Sequence, residues 1–176
     1  MKLSNFSVEL HPLKEEHLEL MRSWRNSDFV KQYLHFQGEI TEEMQRNWFY
    51  SLNESNSYYF LMHNGSEYFG SCGLKNVNAQ RREAEGTIFV GEERFVGGLD
   101  SIKAIFIMYE FAFSYLGVDK IVGDIISSNK RAIRFNKLLG FNIAKPDENG
   151  NCDILLTKEN FNSALSKHES ILNKSR

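Results

Sequence analysis

The stretch Ala84-Glu85-Gly86-Thr87-Ile88-Phe89-Val90-Gly91, with the turn and helix after it, constrains this chain more than any other. Thr87 to Val90 reads as a short strand. A loop from Glu92 to Asp100 carries the pair Gly97-Gly98, and a helix follows from about Ser101 to Tyr115. Ile102, Ile105, Phe106, Tyr109, Ala112, Phe113 and Leu116 recur at three- and four-residue spacing, which marks one buried face. The first N–H groups of a helix lack internal partners and sit at the positive end of its dipole. Glycines ahead of them let a pyrophosphate approach the backbone closely. Strand-loop-helix units with two glycines also serve as plain connections, so this stretch alone leaves both readings open.

At 176 residues the chain suits one domain with a sizeable core. A formal net charge of −2 argues against nucleic acid as a partner, which favours strongly basic domains. Cys72 and Cys152 are too few for a disulfide framework or a metal cluster and read as reduced thiols. The five histidines show no metal-ligand spacing, so no metal is expected. Met1 to Leu10 is polar and alternating, unlike a signal peptide, and no run approaches the roughly twenty apolar residues of a membrane helix. A soluble cytoplasmic protein with no membrane partner is expected.

Taken in order, Phe6, Val8 and Leu10 alternate as a short strand, and Pro12 suits the first turn of a helix running to about Asn26. The aromatic segment Asp28 to Phe36 reads as a short helix or packed loop. Thr41 caps a second helix with the apolar stripe Met44, Trp48, Phe49 and Leu52. Tyr58 to Met62 and Tyr68 to Leu74 flank Asn64-Gly65, a strong hairpin signal. Lys120 to Ile126 is a buried strand, Ser128 and Asn129 cap a helix from about Lys130 to Leu139, and Gly140 closes it. Phe141 to Ala144 and Cys152 to Leu156 form a last strand pair. The tail reads as a weak helix around Phe161 to Ile171 that frays. This order gives an α/β or α+β fold, with a domain over residues 1–157 and a helical tail over 158–176.

The element order and several strings resemble the GNAT family of acetyl-CoA-dependent N-acetyltransferases, from about Val8 to Leu156. The strings are Leu10-His11-Pro12-Leu13 through Trp24-Arg25-Asn26, Ala84-Glu85-Gly86, Gly91 to Gly97, and Asn129-Lys130-Arg131-Ala132-Ile133-Arg134-Phe135-Asn136-Lys137-Leu138-Leu139-Gly140-Phe141. They are most similar to the branch of ribosomal-protein N-terminal and amino-sugar acetyltransferases. The resemblance implies a mixed, mostly antiparallel twisted sheet of about seven strands, flanked by about four helices, with one strand pair splayed to admit acetyl-CoA. It places pantetheine along Ile88, Phe89 and Val90. The pyrophosphate would lie on the loop of Phe95, Val96, Gly97, Gly98 and Ser101, with Asn129 and Arg131 on the later helix nearby.

Two positions depart from the family pattern. The usual loop of glutamine or arginine, two residues, glycine, one residue, then glycine or alanine falls on Val96, Leu99 and Ser101 here. A side chain at Leu99 would crowd the phosphates, unless the loop runs one residue differently and Gly97-Gly98 makes the close approach. On the later helix, the tyrosine that often protonates the leaving thiolate is Asn136, whose amide donates a hydrogen bond but is no useful acid. Glu85, at the branch's acidic position, is the first choice of base, with Asp124 second and His35 and His63 behind. Trp24, Arg25, Asn26, Tyr33 and Phe36 are the candidate acceptor contacts, though Trp24 on an apolar stripe also fits the core.

The expected activity is acetyl transfer to a primary amine of a small molecule, with a nucleotide-linked amino sugar as the leading acceptor. The alternatives are a protein N-terminal acetyltransferase and a non-catalytic acyl-CoA-binding domain. A small-antibiotic acetyltransferase is a further possibility. Either a monomer or a homodimer is expected.

Overall fold

The structure, a computed structural model, describes residues 2–32, 34, 36–52 and 55–173. It opens with a hairpin of β1 (Leu3–Asn5) and β2 (Val8–Pro12), paired antiparallel. The strand expected through Phe6 is therefore broken. Phe6 and Ser7 adopt φ of 54° and 65°, and the Asn5 carboxamide accepts the Phe6 N–H at 2.8 Å. A two-residue turn with both φ positive matches the twist of its strands, but neither residue is the usual glycine or asparagine, so the sequence carries no warning. Pro12 ends β2 instead of starting a helix. A 3-10 turn at Glu15–His17 then leads into α1 (Leu18–Asn26).

Ser27 caps α2 (Asp28–Lys31), and the Thr41 hydroxyl accepts the Met44 N–H at 3.2 Å to cap α3 (Glu42–Ser51). The expected hairpin follows as β3 (Tyr58–His63) and β4 (Tyr68–Asn78), then β5 (Glu83–Val90). After α4 (Leu99–Ser114) come β6 (Lys120–Ile126), α5 (Lys130–Leu138), β7 (Asn142–Ile143), β8 (Asn151–Thr157) and α6 (Lys158–Leu172). The sheet therefore has eight strands, in the order β1-β2-β3-β4-β5-β6-β8-β7. The strand beyond the expected number is β1.

All neighbours are antiparallel except β5 and β6. One sheet face, carrying Val8, Leu10, Phe60, Met62, Cys72, Leu74, Ala84 and Ile121, shares its core with α4. The other meets α1 and α3, where Phe89 touches Trp24 and Tyr59 touches Trp48. The α4 helix is not buried on one face only: 12 of its 16 residues are buried. A helix apolar nearly all round needs cover on both sides, and α6 supplies the second. The tail expected to fray is thus a 15-residue helix, with Phe161, Ala164 and Leu172 buried.

Candidate active site

The parallel pairing of β5 with β6 covers only Glu83–Glu85 against Lys120–Val122. Beyond it, β5 stays on β4 as far as Val90, while β6 follows β8 as far as Ile126. The two central strands therefore diverge after Glu85 and Val122. From Gly86 to Val90 one edge of a central strand has no ladder partner among the described residues, and these residues are half-buried. Backbone N–H and C=O groups in the middle of a sheet need partners. An extended chain bearing amides would supply them.

The splay ends in a tightly built loop. Phe69 O accepts the Gly91 and Glu92 N–H groups at 2.9 and 3.3 Å. Phe95 is 4% exposed and packs on Phe69, with ring centroids 5.0 Å apart, so it offers a ligand only its backbone. The Ser101 hydroxyl is buried as well and donates to Phe95 O at 3.0 Å. Gly97 takes φ of +70°, with open space where a Cβ would stand. Gly98 stands at the cap of α4 and makes no side-chain cap hydrogen bond. Leu99 packs against the core, so its side chain turns away from the place where phosphates were expected to be crowded. The positive end of α4 thus lies beside Gly97 and Gly98, with the buried Asp100 in its first turn.

Beneath the apex, the Tyr109 hydroxyl reaches Gly86 so closely that a Cβ there would lie 2.4 Å from it. Burial pushes this phenol up, and the Cys72 thiol likewise. Cys72 is 1% exposed, and a buried thiol held protonated is a poor nucleophile.

On the opposite face, the Glu85 carboxylate receives Lys75 Nζ at 2.8 Å and the Asn76 amide at 2.7 Å. Asn76 has φ of 53° within the bulge that shifts the β4–β5 register between Lys75 and Asn78. Asparagine tolerates that conformation better than most residues, and the bulge re-aims its side chain. The hydrogen bond from Lys75, then that from Asn76, holds the Glu85 carboxyl below its ordinary range. Sequence reasoning missed both partners. The directly opposed Lys75 and Glu85 of neighbouring strands were the available signal, and the bulge hid only Asn76.

Other expected residues are placed differently. Asp124 is exposed at the mouth of β6, not buried among apolar neighbours. The Asn136 amide donates to Ala132 O at 2.9 Å, within its own helix. Asn129 caps α5 by accepting the Ala132 N–H at 3.0 Å, and Arg131 is exposed on its first turn. Trp24 is 5% exposed, with its indole N–H donated to Glu92 at 2.9 Å. Arg25 donates to the Gln45 carbonyl at 3.0 Å and lies over the Trp48 ring. Asn26 exchanges two hydrogen bonds with the Ile40 backbone, at 2.8 and 2.9 Å. Phe36 is 46% exposed. Tyr33 and His35 lie outside the described residues. His63 stands on β3, apart from the splay.

A family model described as an acetyltransferase (GNAT) domain matches residues 7–142. No match is found among curated proteins. Solved structures share the fold. The nucleotide-linked sugar GNAT FdhC, in its apo form, is 17% identical with a TM-score of 0.79, covering 98% of each chain. Spermidine N-acetyltransferase from Vibrio cholerae, in complex with CoA and spermine, is 16% identical with a TM-score of 0.76, covering 89% of this chain and 99% of that one. The Campylobacter jejuni N-acetyltransferase PseH is 16% identical with a TM-score of 0.65, covering 86% and 98%. With the splayed central strands, the glycine loop and the start of α4 already in place, the match over residues 7–142 establishes that this chain belongs to the GNAT family of acetyltransferases.

Proposed function

We propose that this acyltransferase moves an acetyl group from acetyl-CoA to the primary amine of a small molecule, with a nucleotide-linked amino sugar as the acceptor. The observation that carries the donor half is the early end of the β5–β6 ladder, above a helix start without a side-chain cap. Pantetheine pairs with the free edge of Ile88, Phe89 and Val90. The pyrophosphate lies against the backbone from Val96 to Ser101, and Asn129 and Arg131 flank it.

Transfer is direct. The neutral amine attacks the thioester carbon, a C–N bond forms, the C–S bond breaks, and the thiolate leaves. A backbone N–H at Val90 polarises the carbonyl in the manner of an oxyanion hole. Glu85 accepts the amine proton through water, with its carboxylate held in place by Lys75 and Asn76. The Asn136 amide is already engaged, so the thiolate leaves without an acid from that position and takes its proton from solvent. The buried Cys72 gives no support to an acyl-enzyme route.

For the acceptor, the charged and aromatic groups near Glu85 support a nucleotide-linked sugar over a polyamine. On this face Glu85 is paired with Lys75, and Arg25 adds a positive charge close to Trp48. A polyamine favours surplus carboxylate. An arginine beside aromatic rings favours an acceptor carrying a phosphate and a base.

Calorimetric titration with acetyl-CoA, followed by a thiol-release assay, tests both halves. Micromolar binding and thiol release with a nucleotide-linked amino sugar, above spermidine and above a free N-terminal peptide, is the expected result. Release with the peptide alone would transfer the assignment to protein N-termini. Binding without release for any amine would leave a CoA-binding domain.

A further inference from the structure

Away from the splay, three side chains converge on the outer half of the sheet. Glu9 and His11 are two residues apart on β2 and so share a face. Glu9 stands opposite His63 in the ladder to β3. His11 Nε2 is 2.8 Å from Glu9 Oε2, and His63 Nδ1 is 3.5 Å from the same oxygen. One donor atom from each of the three lies within 4.8 Å of the others. The side chains of Glu9, His11 and His63 are 30%, 24% and 19% exposed, open enough for an ion to enter.

We propose that Glu9, His11 and His63 form a zinc site, with water completing a tetrahedron. Zinc sits about 2.0–2.1 Å from imidazole nitrogen and carboxylate oxygen, so adjacent tetrahedral ligand atoms lie roughly 3.3–3.4 Å apart. The observed 2.8 and 3.5 Å bracket that spacing. Two imidazoles with one carboxylate suit zinc and disfavour calcium or magnesium, which take oxygen-rich sets.

A supporting shell is present. The Tyr68 hydroxyl lies 2.9 Å from His11 Nδ1, leaving Nε2 for the ion. The Tyr68 ring meets both imidazoles edge-on, with centroids 5.4 and 4.9 Å away. The imidazoles stack on each other at 5.1 Å. Lys2 lies on the other carboxylate oxygen, Glu9 Oε1, at 2.6 Å. Two contacts must be exchanged on binding: the hydrogen bond between His11 Nε2 and Glu9 Oε2 gives way to the ion, and the Gly65 N–H, which donates to His63 Nδ1 at 3.1 Å, must release that nitrogen. Chain spacing hides the cluster, because only the β2–β3 register brings His63 beside Glu9.

The test is titration of the full, metal-free chain with Zn²⁺ by calorimetry, and with Co²⁺ by visible absorption as a reporter of tetrahedral ligation. One Zn²⁺ per chain is expected, with a Kd on the order of micromolar. His11→Ala and His63→Ala should each abolish it, and Tyr68→Phe should weaken it about tenfold. Folding of each variant is checked by circular dichroism. The imidazole resonances of the unmodified protein give a readout free of mutation, since those of His11 and His63 should move on zinc addition. Absence of binding, shifts confined to other histidines, or binding that survives both alanine variants would each overturn the proposal.

Discussion

Trp24 and Gly91 interlock: the indole lies so close over the backbone that a Cβ on Gly91 would stand 2.2 Å from Cδ2 of the ring. The same indole donates to Glu92 and meets the Phe89 ring edge-on at 6.3 Å. It therefore clamps the end of β5 and the start of the loop to α1. Gly91→Ala must displace the ring, and overpacking of this kind costs about 1–3 kcal/mol. Urea unfolding should show that loss. Unchanged stability would mean the clamp yields freely.

Glu85 and Lys75 make a pH prediction. The folded-state value of Glu85 is depressed, first by Lys75 and then by Asn76, from an ordinary 4.5. Its contribution to stability is therefore present above the ordinary value and lost as pH falls through the lower, folded one. As the base, Glu85 would set the acid limb of kcat/KM. Lys75→Met removes the main depressing partner, so that limb should move to higher pH. Glu85→Gln should lower kcat by about 10²-fold or more with CoA binding retained. An unmoved limb in the first variant and full turnover in the second would remove Glu85 from the chemistry.

The left-handed Gly97 gives a third. An L residue at φ of +70° costs about 1–2 kcal/mol, and here no neighbour adds a clash. Gly97→Ala should lose that much stability, and calorimetry should show CoA binding weakened by roughly tenfold, equivalent to about 1.4 kcal/mol. Gly98→Ala keeps an ordinary φ and meets the Phe95 backbone, with its O at 3.1 Å, so it should be the milder change. Equal CoA affinity across all three proteins would show that the loop backbone does not approach the ligand.

Much of the fold was legible because its elements carry local signals. Lys120–Ile126 was read to its exact bounds from β-branched runs, though only Ile121 and Ile125 of this strand are buried, and Asn64-Gly65 announced the β3–β4 hairpin. What failed depended on tertiary partners. The Phe6–Ser7 turn lacks glycine or asparagine at its two left-handed positions, and α6 looked weak because its apolar stripe makes sense only against Phe106 and Phe113. The site divides the same way. The divergence of β5 from β6 was reached through the family resemblance. The commitment of Trp24, Asn26 and Asn136 to hydrogen bonds inside the protein follows from packing that no spacing reveals.

The α6 helix yields the last prediction. Phe161 is 2% exposed, and its ring lies 5.7 Å from Phe106 and 5.2 Å from Phe113. Both partners belong to α4, whose other side lies on the sheet and whose first turn faces the glycine loop. Removing a buried phenylalanine side chain costs about 3–5 kcal/mol through lost transfer energy and the cavity left behind. Phe161→Ala should lose that amount. Deleting residues 158–176 should do worse, because it bares the apolar outer side of α4 and exposes the protein to aggregation. The ordering of the loop depends on α4, so CoA affinity in Phe161→Ala should fall further as temperature rises towards its lowered Tm. A truncated chain that stays monomeric, keeps its Tm and binds CoA as before would make α6 the detachable appendage that its sequence suggested.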